Sequence, residues 1–114
     1  MTWRWANDSW NSQQHQFTDR GPLKYDKVQH FIGGYLFGLF SWRIGLAFWF
    51  AWEIKDALIP WERGYVTMWP IEHNWGGDGF SWRDMLASWT GVGCGYLTRL
   101  GISFLCVLVL RSGA

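Results

Sequence analysis

Five ionisable residues give this chain its chemical interest: Asp26 and His30, then Glu53 and Asp56, then Asp84. Asp26 and His30 stand at i and i+4 and share one face of a helix; Glu53 and Asp56, at i and i+3, share another. Carboxylates facing an imidazole can ligate a divalent cation, or act as base and acid in a hydrolytic step. The candidates for catalysis are therefore His30, Glu53, Asp56 and Asp84, and those for metal ligation are Asp26, His30, Glu53 and Asp56. A plainer reading stands beside this one, in which Asp26 and Asp84 cap helices while Glu53 and Asp56 pair with Lys27, Lys55 or Arg83. Spacing alone does not decide between them. There is no His-Glu-x-x-His, no Cys-x-x-Cys, no phosphate-binding loop and no Gly-x-Ser-x-Gly elbow. His73 is a loop residue, and Gly76-Gly77-Asp78-Gly79 reads as a turn.

The elements that must position these residues are apolar. Two blocks, Phe31 to Trp52 and Met85 to Leu110, lie between polar stretches, and eleven Trp are spread over 114 residues. Trp favours the membrane interface, where its ring sits in a half-apolar layer and its N–H stays wet. A net charge of +1 with no basic stripe argues against a nucleic-acid partner. Cys94 and Cys106, twelve positions apart, would be separated by roughly 18 Å of helical rise, too far for a disulfide within the chain. The start of the chain shows neither the pattern of a signal peptide nor a lipobox cysteine.

These features predict an all-α fold: a small integral membrane helical bundle made of a helical hairpin and one long Gly-rich transmembrane helix. Residues 1–25 form a polar, aromatic N-terminal arm. The membrane helical domain covers 26–111, with helices at about 27–42, 44–59 and 82–110 and an interfacial loop at 60–81. Asp26 with Gln29, and Ser81 with Asp84, have capping-box spacing; Pro60 ends the second helix. Each of the first two helices is about 16 residues, roughly 24 Å long, short for a hydrocarbon core of about 30 Å. Reversal near Arg43, with its side chain snorkelling to the interface, brings Asp26, His30, Glu53, Asp56 and Asp84 to one membrane face. A continuous helix through Arg43 would scatter them to opposite faces. Gly34 and Gly38 on one helix, and Ala87, Gly91 and Gly95 on another, make small-residue faces that allow close approach. Lys and Arg fall mainly on the side of the arm and loop, which puts that side in the cytoplasm.

The run Asp26-Lys27-Val28-Gln29-His30-Phe31, then Glu53-Ile54-Lys55-Asp56, then Gly79-Phe80-Ser81-Trp82-Arg83-Asp84-Met85-Leu86-Ala87 followed by Gly91 and Gly95, resembles the YfiM family of bacterial envelope lipoproteins. More loosely it is similar to the VanZ-like membrane proteins, which share the Asp-Lys-x-x-His-Phe opening. The resemblance covers about residues 26–97. It implies a bundle of hydrophobic helices with Asp26, Lys27, His30, Glu53, Asp56 and Asp84 as its polar set, and it implies no reaction; the location expected for the chain is a bacterial or phage-encoded inner membrane. The chain departs from the YfiM pattern in lacking a lipobox, in its long aromatic arm, and in the Trp-rich stretch between Asp56 and Gly79.

Two functions follow as expectations. The first is a non-catalytic accessory subunit that docks a larger membrane complex, or a second copy, through Trp3, Trp5, Trp10, Trp61, Trp69 and Trp75. The second is a membrane-face enzyme or metal- or anion-binding protein acting on a lipid-linked or phosphate-bearing molecule. No cofactor is called for by motif, and a divalent cation is the one the polar set would take.

Overall fold

The computed structural model describes residues 2–14, 19–68 and 71–113, with the backbone alone at 68 and 71–73. Three helices dominate: α1 (Asp26–Phe40), α2 (Trp42–Leu58) and α3 (Trp82–Arg111). The mostly helical architecture is the one expected.

A single residue separates α1 from α2. Ser41 is extended (φ −158°, ψ 117°), and its side chain accepts from the Ile44 N–H as the N-cap of α2. The chain doubles back there, so that Phe37 stacks on Phe48 and His30 lies against Trp49. α3 runs beside α1 in the same direction. The seam between them is made of backbone: a Cβ on Gly34 would collide with the Ser88 carbonyl, and one on Gly38 with that of Val92. The fit is reciprocal, since Gly91 meets the Phe31 carbonyl and Gly95 that of Tyr35. Ser88 rather than Ala87 is the buried small residue at the head of this seam. Tyr35 Oη donates to Thr98 Oγ1 at 2.9 Å along the same line.

Close backbone contact leaves little room for large side chains between the helices. Among the described residues the buried apolar ones are Ala57, Phe80 and Val92, whereas Lys27, Glu53, Ser81, Asp84 and Ser88 are buried polar ones. Large apolar side chains point outward, including Leu36, Phe40, Ile44, Phe50 and Leu97. From Leu100 to Arg111, α3 is exposed on all sides among the described residues. α3 is long and apolar enough to cross a membrane, and 11% of its most apolar 18-residue stretch is buried.

Two local expectations change. Asp26 does not cap α1: Tyr25 holds the N-cap position without a side-chain bond, and the Gln29 amide donates to the Gln14 and Leu23 carbonyls instead. Residues 60–81 contain a short 3-10 turn (Trp61–Arg63) and an antiparallel pair, β1 (Tyr65–Met68) with β2 (Ile71–Asn74), where the sequence suggested loop. Isolated four-residue strands give too short a period to stand out from a loop. α3 runs unbroken through Arg99, as expected, and the Arg99 guanidinium donates to the Phe40 carbonyl at 2.5 Å, satisfying an end carbonyl of α1.

Candidate functional site

The polar residues meet at the end of the bundle where α1 begins, α2 ends and α3 begins. His30 is held from two sides: Nδ1 lies 3.2 Å from Ser88 Oγ, while Nε2 lies 3.3 Å from Asp26 Oδ1 and 3.5 Å from Asp84 Oδ2. Trp49 flanks the ring edge-to-face. One donor atom from each of Asp26, His30 and Asp84 falls within a 4.8 Å group, a spacing that could hold a metal ion.

Asp84 reaches this position because another residue does its expected work. Ser81 Oγ accepts from the Asp84 N–H at 3.1 Å, the forward half of a capping box. The return half, from Asp84 to the Ser81 N–H, is absent. Glu53 Oε1 takes that N–H at 2.9 Å instead, from α2. The Asp84 carboxylate is thereby free to turn toward His30 and Lys27, the latter at 2.6 Å. Glu53 itself is 1% exposed, and its Oε2 is buried with no hydrogen-bond partner.

Lys27 Nζ is the hub of the charges, with Asp8 at 2.5 Å, Asp84 at 2.6 Å and Asp26 at 3.3 Å. Burial alone would raise the Asp8 carboxyl, but bonds from Lys27 and Ser81 outweigh it and hold the group below the usual carboxylate range. Asp56 lies further along α2, paired with Lys55 at 2.5 Å; the Lys55 ammonium also sits 3.9 Å over the Trp52 ring and donates to the Trp75 carbonyl. Beside these groups is a cavity of about 310 Å³, whose wall includes Asp8, Asp26, His30, Trp52, Asp56 and Asp84.

The arm and loop close over this end. Arg4 and Ala6 exchange backbone bonds with Ala57 and Phe80, and the Arg4 guanidinium donates to the Asp56 and Gly77 carbonyls. Gly79, at φ +118°, packs against the backbone of Trp5 and Ala6, where a side chain would be strained and in the way. Trp3 stacks on Phe80, Trp10 meets Trp82, and Trp75 meets Trp52. Trp61 Nε1 donates to Asp78.

The structure therefore brings Asp26, His30 and Asp84 into one group, sets Glu53 beneath it, and places Asp56 on the cavity wall with its own cation. Of the aromatic contact candidates, Trp3, Trp5, Trp10, Trp61 and Trp75 belong to the chain's own cap; Trp69 lies outside the described residues, as does the His73 side chain. Asp8 and Ser88 are site residues that motif reading passed over, and Ser81, read as a helix cap, also bonds Asp8. Ser88 was traceable, four residues beyond Asp84 on the face that also carries Gly91 and Gly95. Asp8 was not, because the arm has no period to orient it. No protein-family model, curated protein or solved structure matches the chain.

Proposed function

We propose that this is a membrane protein that holds a divalent cation at the cytoplasmic membrane face, through Asp26, His30 and Asp84, and there binds a phosphate-bearing molecule. The membrane part of the reading is supported by the inverted packing: backbone and polar groups inside, large apolar side chains outside, and an exposed α3 end that is apolar from Leu100 to Leu110 apart from Ser103. That arrangement suits lipid, where small residues let helices approach and ionisable groups turn inward. α3 spans the bilayer. α1 and α2, at 15 and 17 residues, enter beside it as a hairpin shorter than the hydrocarbon core. The excess of Lys and Arg at the arm and loop end places that end in the cytoplasm.

The observation that carries the site reading is the triad itself, an imidazole fixed by Ser88 between two carboxylates. Two oxygens and one nitrogen suit Mn²⁺ or Zn²⁺, and three protein ligands leave positions open for water or substrate. The polar set of the YfiM and VanZ-like resemblance includes Asp26, His30 and Asp84, which is consistent with the proposal.

Titration of Mn²⁺ into the full chain in dodecyl maltoside micelles tests it. One site per chain is expected, weakened at least about tenfold by Asp26→Asn or Asp84→Asn. Glu53→Gln, which keeps an oxygen for the Ser81 N–H, is expected to leave affinity nearly unchanged. A helical, monodisperse parent that binds no Mn²⁺ or Zn²⁺ contradicts the reading.

A second reading, an accessory subunit of a larger membrane assembly or a homo-oligomer, is favoured by the unaccompanied stretch of α3 beyond Arg99. Extraction in mild detergent with a stoichiometric partner supports it; recovery as a monomer opposes it.

A further inference from the structure

The Asp8 carboxylate sits where an anionic ligand would. Lys27 Nζ approaches it at 2.5 Å and Ser81 Oγ donates to it at 2.6 Å. Arg83 NH1 lies 3.8 Å from the carboxylate and donates to the Asp8 backbone carbonyl at 3.2 Å. Ser81 is the N-cap of the thirty-residue α3, so the carboxylate also rests at the positive end of a long helix. Lys27 and Ser81 are 7% and 2% exposed, and Arg83 Nε is buried without a hydrogen-bond partner. A buried lysine, a hydroxyl, an arginine and a helix N-terminus together form a donor set suited to a phosphate group.

The group that fills this set comes from the arm, a segment with no helix or sheet of its own around Asp8. Asp8 also forms part of the wall of the cavity that holds Asp26, His30 and Asp84. We propose that Lys27, Ser81 and Arg83 are a phosphate cradle, occupied in the closed state by the protein's own Asp8, which a ligand phosphate displaces. In placing the phosphate beside a bound cation, this rests on the function proposed above. Asp26 and Asp84 share Lys27 and would repel an incoming phosphate; a cation on Asp26, His30 and Asp84 cancels that repulsion. Phosphate binding is therefore expected to depend on the cation. Release of Asp8 loosens the middle of the arm, which stays tied on either side by the backbone bonds of Arg4, Ala6, Ser12 and Gln14 and by the Arg4 guanidinium.

The test uses the full chain in dodecyl maltoside micelles, with inorganic phosphate and dihexanoyl phosphatidic acid as probes, each with Mn²⁺ and with EDTA. Asp8→Asn is expected to bind phosphate about tenfold more tightly than the parent, and Asp8→Asn with Ser81→Ala is expected to lose that gain. Tighter binding of the phosphatidic acid assigns the phosphate to a lipid, and equal binding assigns it to a soluble molecule; either supports the cradle. Mn²⁺ binding without any phosphate binding by Asp8→Asn overturns the cradle and leaves the cation site standing. Phosphate binding undiminished in EDTA keeps the cradle and removes the cation from it. Should Asp8→Asn disturb the fold, hydrogen exchange at the Arg4 and Ala6 amides of the parent gives the answer. Faster exchange on adding phosphate supports displacement, and unchanged exchange at saturating phosphate overturns it.

Discussion

The two halves of α3 differ more from each other than α3 differs from its neighbours. Up to Thr98 its inner face is built of Asp84, Ser88, Gly91, Val92 and Gly95 and is pressed against α1 and α2. Beyond Arg99 the same helix carries Ile102, Phe104, Leu105, Val107, Leu108 and Leu110, each at least 46% exposed. The more hydrophobic half is thus the one with no protein around it. In water the assignment would be reversed, because burying apolar area is the main driving force of folding there. Under the membrane reading proposed above, hydrophobicity marks the surface left for lipid, and contact with protein is marked by the lack of a side chain or by a partner for a charge.

The contrast can be broken most forcefully at the seam. Gly34→Val or Gly91→Val drives a side chain into the facing backbone, which cannot rotate away, and is expected to destabilise the protein by about 3 kcal/mol or more. Gly101→Val, with nothing within 4 Å of the added Cβ, is expected to leave the midpoint of thermal unfolding in micelles almost unmoved. Equal effects at Gly91 and Gly101 would remove the distinction between the halves. Next in size is Lys27→Met, which leaves Asp8, Asp26 and Asp84 facing one another without their shared ammonium; a loss of about 3 kcal/mol is expected in the same assay.

A smaller effect sharpens the polar side of the comparison. The Asp8 carboxyl is held low, so its pairing stabilises the arm above the ordinary carboxylate range and is lost as pH falls through its own lower value. Trp10, which meets Trp82 and lies near Arg83, reports on it. Its fluorescence is expected to stay constant from pH 8 to about pH 5 and to change only below about pH 4. A midpoint above pH 5 would show that the arm is held by something else. The smallest effect belongs to the exposed half of α3: Phe104→Ala is expected to shift stability in micelles by no more than about 0.5 kcal/mol. A large loss there would reveal a packed interface.

Much of this was legible from residue types. Gly34, Gly38, Gly91 and Gly95 at four-residue intervals marked faces that could close on one another, and the polar break at Ser41-Trp42-Arg43 marked where the chain could turn. The convergence of Asp26, His30 and Asp84 follows from that turn. What escaped was any detail that depends on a contact across elements. Nothing local says that Glu53 would take the Ser81 N–H and so release Asp84, or that Gln29 would tie down the arm instead of capping its own helix. Ser88 rather than Ala87 heads the seam because α1 meets α3 one position round from where the small-residue spacing pointed. The aromatic arm was read as a surface for partners, and composition alone did not show that its Trp residues also fold over the chain's own polar end while staying partly exposed.

The central claim is that His30, from α1, and Asp84, from α3, hold one cation together. Pulsed electron paramagnetic resonance of Mn²⁺ bound to the full chain in micelles tests it directly. The expected result is one Mn²⁺ per chain with a single imidazole-nitrogen coupling, lost in His30→Gln and kept in His73→Gln. A Mn²⁺ signal with no nitrogen coupling, or one that survives His30→Gln, would contradict it.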